Sequence, residues 1–212
     1  MTTNDARYRP HGSGRRTRNG EGGFTLIEFM IAMAITTAVL GATVGLAAQI
    51  QRAYTSDLDD VAVEQEVRYA LDWIARYIRS AGSRPYSWTA CPVFQAVWID
   101  PNVNGDDDDI RIQADINPPN GDCTEDQEDV TIALDTVNDV ITLDTGAGAM
   151  AMTDPIITGL EFTYLDGSRN PTTVDAQVVY VGVQVTGQSE GRSTTSGFTE
   201  FSLSTEVRIR AR

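Results

Sequence analysis

The side chain with the clearest chemical consequence is Glu28, a lone carboxylate at the edge of a long apolar run. From Phe29 to Gln51 the sequence carries no charged residue, and a helix of roughly 20 apolar residues can cross the hydrocarbon core of a bilayer. An unpaired carboxylate in hydrocarbon is costly, so Glu28 needs a cationic partner such as an amine. This position predicts ion pairing at a membrane; the alternative is a Glu28 that is merely solvated among lipid headgroups.

The charges on the two sides of the apolar run have opposite sign. Arginines precede it (Arg7, Arg9, Arg15, Arg16 and Arg18), and acids follow it (Asp57, Asp59, Asp60, Glu64 and Glu66). By the positive-inside rule, this asymmetry predicts a cytoplasmic N-terminus and an exported chain after Arg52. A secretory signal fits less well, because its cleavage site follows the apolar core, whereas the small residues Gly22 and Gly23 precede it here. A generic membrane anchor is the simplest interpretation of the run by itself.

Two segments resemble those of a known family. The first resembles the processing site of type IV prepilins and type II secretion pseudopilins, and it reads Gly23-Phe24-Thr25-Leu26-Ile27-Glu28. The second, residues 66–82, is similar to the helix end of PilW-type minor pilins and J-type minor pseudopilins. The resemblance covers residues 23–82 and implies a pilin-like fold.

The resemblance also implies a sequence of covalent steps and a role for Glu28. A membrane aspartic peptidase would cut between Gly23 and Phe24 and methylate the new amine of Phe24. Glu28, then the fifth residue of the mature chain, would meet the N-terminal amine of a neighbouring subunit and set its register in a fibre.

The composition excludes most catalytic sites. The chain has a formal net charge of −14, and after the leader it contains no lysine and no histidine, since His11 lies before Gly23. Sites that depend on histidine or lysine are therefore excluded from the part that follows Gly23. A carboxylate-dependent hydrolase is the remaining enzyme class, and no spacing favours it, so we predict a protein that is not an enzyme. Such an acidic chain also disfavours direct binding to nucleic acid.

The periodicity of apolar residues predicts an α+β fold. A helix is expected from Phe24 to about Ser80, with Gly82 placed to end it. Its second half has an apolar stripe at helical spacing, formed by Val67, Leu71, Ile74, Ile78 and Ala81. Alternating apolar and polar residues, typical of antiparallel strands with one covered face, occur at 93–99, 109–114, 130–134, 140–143, 160–164, 178–185 and 201–209.

These patterns predict four segments. Residues 1–23 form a basic leader that is removed, and residues 24–51 form the transmembrane and polymerisation half of the helix. Residues 52–82 form its amphipathic half, and residues 83–212 form an exported antiparallel β domain against which that half packs. Segments rich in glycine, proline or asparagine at 117–122, 146–149 and 187–197 are predicted to be loops.

The only two cysteines, Cys91 and Cys123, lie in the part predicted to be exported. An even number of cysteines in an oxidising compartment predicts one disulfide. Two unpaired thiols are the alternative.

An acidic segment at 100–109 has a spacing that suits calcium. Oxygen-bearing side chains recur at Asp100, Asn102, Asn104, Asp106 and Asp108, with Gly105 at the sixth position, as at the start of an EF-hand loop. The twelfth position is Arg111, where a bidentate glutamate belongs. A solvated acidic turn is therefore the alternative to a calcium site, and no other cofactor is expected.

The resemblance, together with these features, implies a minor pilin or minor pseudopilin that helps to initiate or cap a fibre. The partners implied by the resemblance are other pilins or pseudopilins, a prepilin peptidase, an inner-membrane assembly platform and, before assembly, membrane lipid. The exported domain would be periplasmic before it enters the fibre. The competing interpretations are a tip adhesin or ligand-binding module on the same helix, and a generic membrane-anchored periplasmic domain.

Replacing Gly23 tests the implied processing site. A peptidase that draws the backbone into a site at the membrane edge has no room for a side chain before the bond that it cuts. Gly23→Val is therefore expected to block processing, seen by mass spectrometry as retention of the leader. Normal processing of Gly23→Val would contradict the prediction.

Overall fold

The computed structural model describes residues 23–83, 94–116, 127–189 and 199–209. One long helix, α1 (Leu26–Ser80), is followed by the strands β1 (Val97–Ile99), β2 (Asp109–Gln113), β3 (Asp129–Asp135), β4 (Val140–Asp144), β5 (Ala149–Ala151), β6 (Ile157–Leu165), β7 (Tyr180–Gln188) and β8 (Glu200–Arg208). A short 3-10 helix at Asp175–Gln177 precedes β7. The chain divides into two compact units, residues 1–50 and residues 51–212.

In the first unit, α1 leaves its apolar side chains uncovered. Its large apolar residues from Leu26 to Ile50 are between 54% and 78% exposed. Among the described residues, α1 is the one helix that is long and apolar enough to cross a membrane. Side chains this apolar are unfavourable in water, so they require lipid or other apolar helices around them.

In the second unit, α1 buries the predicted stripe. Val67, Ile74, Ile78 and Ala81 are completely covered and Leu71 nearly so, which confirms the helical period read from the sequence. The helix ends as predicted at Gly82, whose φ of +76° suits glycine and few other residues. The Gly82 N–H then donates to the carbonyl oxygen of Gln113 at 3.0 Å, which ties the helix end to β2.

The strands form two antiparallel sheets. β1 to β5 make a five-stranded sheet in chain order, and β6 to β8 make a three-stranded sheet in which β7 is central. The predicted α+β architecture, a long helix on antiparallel strands, is confirmed, but the strands divide between two sheets. The loop predicted at 146–149 is found at 146–148, and the short strand β5, which was not predicted, follows it. The backbone of β5 pairs with β4 in the register Leu143↔Met150, although its own residues have little preference for strands.

A single apolar core joins α1 to both sheets. Its largest completely buried side chains come from the helix, from β2, β3 and β4, and from β6, and they include Ile74, Ile78, Ile110, Ile132, Ile141 and Phe162. The amphipathic half of α1 is thus stabilised by burial against the sheets and does not depend on helix propensity alone.

At Gly187 of β7 the side chains of the helix lie directly against the backbone of the sheet. A Cβ atom added there would lie 2.8 Å from Cγ2 of Val67, 2.9 Å from Cγ1 of Val63 and 3.3 Å from the carbonyl oxygen of Ile156. Both valines are buried and β-branched, so they cannot rotate away without a shift of the helix.

We therefore expect Gly187→Ala to lower the free energy of unfolding by about 1–3 kcal/mol, the usual cost of overpacking a filled core. Gly182→Ala is the matched control, since Gly182 lies in the same strand and a Cβ there would make only ordinary contact with Thr163 at 3.4 Å. Chemical denaturation of the full-length protein in detergent gives both values. Equal stability of the two variants would contradict the close packing of α1 on β7.

Candidate functional site

The carboxylate of Glu28 lies in the first turn of α1 and forms a capping box with Thr25. The backbone N–H and the side-chain hydroxyl of Thr25 both donate to Oε2 of Glu28 at 3.0 Å. In return, the backbone N–H of Glu28 donates to Oγ1 of Thr25 at 3.3 Å. Two N–H groups that have no partner within the helix are thereby satisfied, which determines where α1 begins.

This capping box is why α1 begins at Leu26 and not at the predicted Phe24. The Thr-x-x-Glu spacing of Thr25 and Glu28 was readable in the sequence, as was the aromatic pair Phe24 and Phe29 at the positions of a hydrophobic staple. Sequence reasoning assigned Glu28 to ion pairing alone and missed its role in starting the helix.

Glu28 is exposed, and in the described part of the chain only one of its two carboxylate oxygens, Oε2, accepts hydrogen bonds. Among the described residues, no hydrogen bond reaches its second oxygen, Oε1. A carboxylate at a helix N-terminus is also favoured by the helix dipole, by about 0.3–1 kcal/mol. The site can therefore accept one more donor, and a cationic amine is the donor that would also neutralise its charge.

The peptide bond between Gly23 and Phe24 is open to a protease. Both residues precede the helix without regular structure, and Phe24 is 89% exposed. A Cβ atom added at Gly23 would meet nothing within 4 Å. The chain itself thus tolerates a side chain at this position, so a requirement for glycine would come from the peptidase.

The acidic segment 100–109 forms an ordered loop between β1 and β2. The backbone N–H groups of Asn104 and Gly105 donate to the two oxygens of Asp100 at 3.0 and 2.9 Å. Oδ1 of Asn102 accepts a second bond from Asn104, and Oδ1 of Asn104 accepts the N–H of Asp106 at 2.8 Å. Hydrogen bonds thus hold three of the predicted ligands, Asp100, Asn102 and Asn104, near one another. Asn102, Asn104 and Asp106 are exposed, and Asp108 is half-buried.

Asp109, which closes this loop, is buried, although the alternation in β2 placed it on the polar side. It is 1% exposed, and Gln113, assigned to the same side, is 6% exposed. Burial, together with the neighbouring carboxylates of Asp108 and Asp100, raises the pKa of Asp109 to about 6. β2 is therefore covered on both faces at its two ends. At Asp109 the hydroxyl of Tyr164, from β6, donates to the backbone carbonyl oxygen at 3.1 Å.

Arg111 occupies the position where an EF-hand would have its bidentate glutamate. Its Nε and Nη2 donate to the two oxygens of Asp129 at 2.7 and 2.6 Å, and its guanidinium lies 4.6 Å from the ring centre of Trp98. The bond to Asp129 raises the pKa of Arg111. This arrangement joins β1, β2 and β3 and leaves Arg111 no part in holding a cation.

Cys91 and Cys123 lie outside the described residues, so the disulfide remains a prediction.

A family model described as a prokaryotic N-terminal methylation motif matches residues 18–44 of the chain. The match includes Gly23, Phe24 and Glu28 and most of the exposed apolar part of α1. No curated protein and no solved structure matches the chain.

Thr25 variants test the capping box. Thr25→Ala removes the hydroxyl that accepts from and donates to Glu28, so the first turn should lose about 0.5–2 kcal/mol of stability. Thr25→Ser, which keeps the hydroxyl, is the control. Amide hydrogen exchange in the first turn of the full-length protein in micelles should be faster in Thr25→Ala alone. Equal exchange in the two variants would show that Thr25 does not cap α1.

Proposed function

We propose that this chain, which carries the N-terminal methylation motif of type IV pilin- and pseudopilin-type proteins, is a minor pilin or minor pseudopilin. It is a structural subunit that is processed after Gly23, methylated at Phe24 and used to initiate or cap a fibre. One observation carries the proposal: the first turn of an exposed apolar helix holds a carboxylate with one oxygen still available.

The exposed apolar residues of α1 favour insertion into lipid and association with other helices. Side chains such as Leu26, Phe29 and Val44 are more than half exposed in the isolated chain. They gain free energy when lipid covers them before assembly and when other subunits cover them in a fibre. Covering them also removes water from the neighbourhood of Glu28.

Removal of water makes a cation necessary. Thr25 already donates twice to Oε2 of Glu28, but both donors are neutral and leave the negative charge uncompensated. Cleavage between Gly23 and Phe24 would create an amine, which is positively charged when protonated. An amine of a neighbouring subunit that binds Oε1 would neutralise the carboxylate and align the two chains.

The proposed partners and location follow from this assembly. The chain binds other pilins or pseudopilins, a prepilin peptidase and an inner-membrane assembly platform, and it rests in lipid before it is used. Its N-terminus is cytoplasmic and the part after Arg52 is periplasmic, in agreement with the charge asymmetry of the sequence. The protein works without catalysis.

The resemblance of residues 66–82 to PilW-type and J-type helices supports the minor subunit class. The methylation motif does not separate a pilus from a secretion pseudopilus, and the proposal covers both.

Glu28→Gln separates the charge of Glu28 from its capping role. Glutamine also serves in a capping box, so this variant should start the helix normally, be processed and yet enter fibres at least about tenfold less often than wild type, as should Glu28→Ala. Glu64→Gln is the matched control, because among the described residues the Glu64 carboxylate pairs with Arg68 on an exposed face. Quantitative mass spectrometry of fibres from the native host gives the incorporation, and normal incorporation of Glu28→Gln would remove the proposed role.

A further inference from the structure

The loop 100–109 concentrates negative charge that no described cation neutralises. Its carboxylates belong to Asp100, Asp106, Asp107, Asp108 and Asp109. The ion pairs formed among the described residues are Arg68–Glu64, Arg111–Asp129 and Arg169–Glu206, and none involves this loop. Arg111, the nearest arginine in sequence, is already bound to Asp129 through both oxygens.

Asp109 is the feature that points to a ligand. It is 1% exposed, and its Oδ1 is fully covered without a hydrogen-bond partner in the described part of the chain. Its carboxylate faces the loop, since the backbone N–H of Asn102 is directed toward it and Asp108, Asp100 and Asp106 repel it. A covered carboxylate oxygen without a partner is costly, and a cation in the loop would remove that cost.

In the first half of the loop, side-chain oxygens accept hydrogen bonds from backbone N–H groups of the loop itself. Asp100 accepts the N–H groups of Asn104 and Gly105, Asn102 shares the N–H of Asn104, and Asn104 accepts the N–H of Asp106. Carboxylate and amide oxygens have two lone pairs, so each of these oxygens can still bind a cation.

The second half of the loop is anchored to both sheets. The carbonyl oxygens of Asp107 and Asp108 accept the N–H groups of Phe162 in β6 and Leu134 in β3, at 2.8 and 3.2 Å. The carbonyl oxygen of Asp109 accepts the hydroxyl of Tyr164 at 3.1 Å. Asp109 therefore presents its side chain from a fixed backbone, which lowers the cost of ordering a site.

We propose that the loop 100–109 binds one calcium ion through side-chain oxygens of Asp100, Asn102, Asn104, Asp108 and Asp109. Asp109 takes the place of the bidentate glutamate that Arg111 replaces in the EF-hand pattern. No three His, Cys, Asp or Glu side chains of the described residues yet lie close enough together to hold a metal ion, so binding draws the half-exposed Asp108 inward. Calcium suits this mixed set of carboxylate and amide oxygens because it accepts flexible coordination, whereas magnesium demands near-octahedral geometry.

Calorimetry on the full-length protein in detergent, stripped of metal with a chelator, tests the site. We expect one calcium ion to bind per chain, with an affinity on the order of that of extracellular calcium modules, and calcium to raise the melting temperature. Magnesium at the same concentration should give a much smaller shift. No saturable binding at millimolar calcium, or an equal response to magnesium, would overturn the proposal.

Asp109→Asn removes the buried charge without changing the shape of the side chain, and should weaken calcium binding at least about tenfold. Asp166→Asn is the control, because Asp166, like Asp100, accepts two backbone N–H groups in a turn outside the loop, those of Ser168 and Asn170 at 2.7 and 2.9 Å. Calcium affinity should be unchanged in this control. Equal loss in both variants would show diffuse attraction to an acidic surface and overturn the site.

Asn104→Ala is a second test of the calcium site, needed if circular dichroism shows that Asp109→Asn does not fold. Asn104 is exposed in the first half of the loop, so its truncation leaves the core intact and should cause a similar loss of calcium affinity. Wild-type affinity in a folded Asn104→Ala protein would contradict the proposed ligand set. None of these outcomes depends on whether the chain enters a fibre, so the calcium site and the proposed function stand or fall separately.

Discussion

The structure depends on how the charge of Glu28 is compensated at the start of an apolar helix. In the isolated chain, Thr25 supplies two donors and Glu28 in turn helps to satisfy the first N–H groups of α1. These hydrogen bonds between Thr25 and Glu28 determine where the helix begins, and the peptide bond between Gly23 and Phe24 lies outside it. They do not neutralise the carboxylate, and the apolar residues that follow demand surroundings in which that charge becomes costly.

The two parts of α1 differ in what covers their apolar side chains. Residues of the first unit, such as Phe29 and Ile35, are exposed and have no partner within the chain's own core. Residues such as Val67 and Ile74, in the second unit, are completely buried against the strands, and Gly187 permits the close approach of the helix. One half is thus stabilised within the chain, whereas the other requires lipid or other subunits. The matched methylation motif, which supports a type IV pilin- or pseudopilin-type protein, lies largely in the half that remains uncovered.

Periodicity predicted those elements whose burial follows a simple rule. The helical stripe from Val67 to Ala81 and the alternating residues of β3, β6 and β7 are found as expected, because each lies against one apolar core. Periodicity was wrong for Asp109 and Gln113, since β2 is covered on both faces by partners distant in sequence, such as Tyr164. It also missed β5, whose residues pair through their backbone and offer no side-chain signal.

Of the candidate sites, too, one could be predicted from the sequence and the other only from the folded structure. The spacing of Gly23, Phe24 and Glu28 was visible in the sequence because processing and capping depend on neighbouring residues. The buried carboxylate oxygen of Asp109 was not visible, because only the folded strands show that it lacks a partner. The spacing of oxygen-bearing residues in the loop 100–109 predicted calcium, but the EF-hand pattern does not hold at the twelfth position, Arg111. Arg111 binds Asp129 instead, which explains this departure from the pattern.

The N-terminal mass of the protein isolated from its native host tests the central claim most directly. The account predicts that the first residue is Phe24 and that its amine carries one methyl group, so that a charged amine is available to a neighbouring Glu28. A chain that still begins at Met1, or at any residue other than a methylated Phe24, would contradict it.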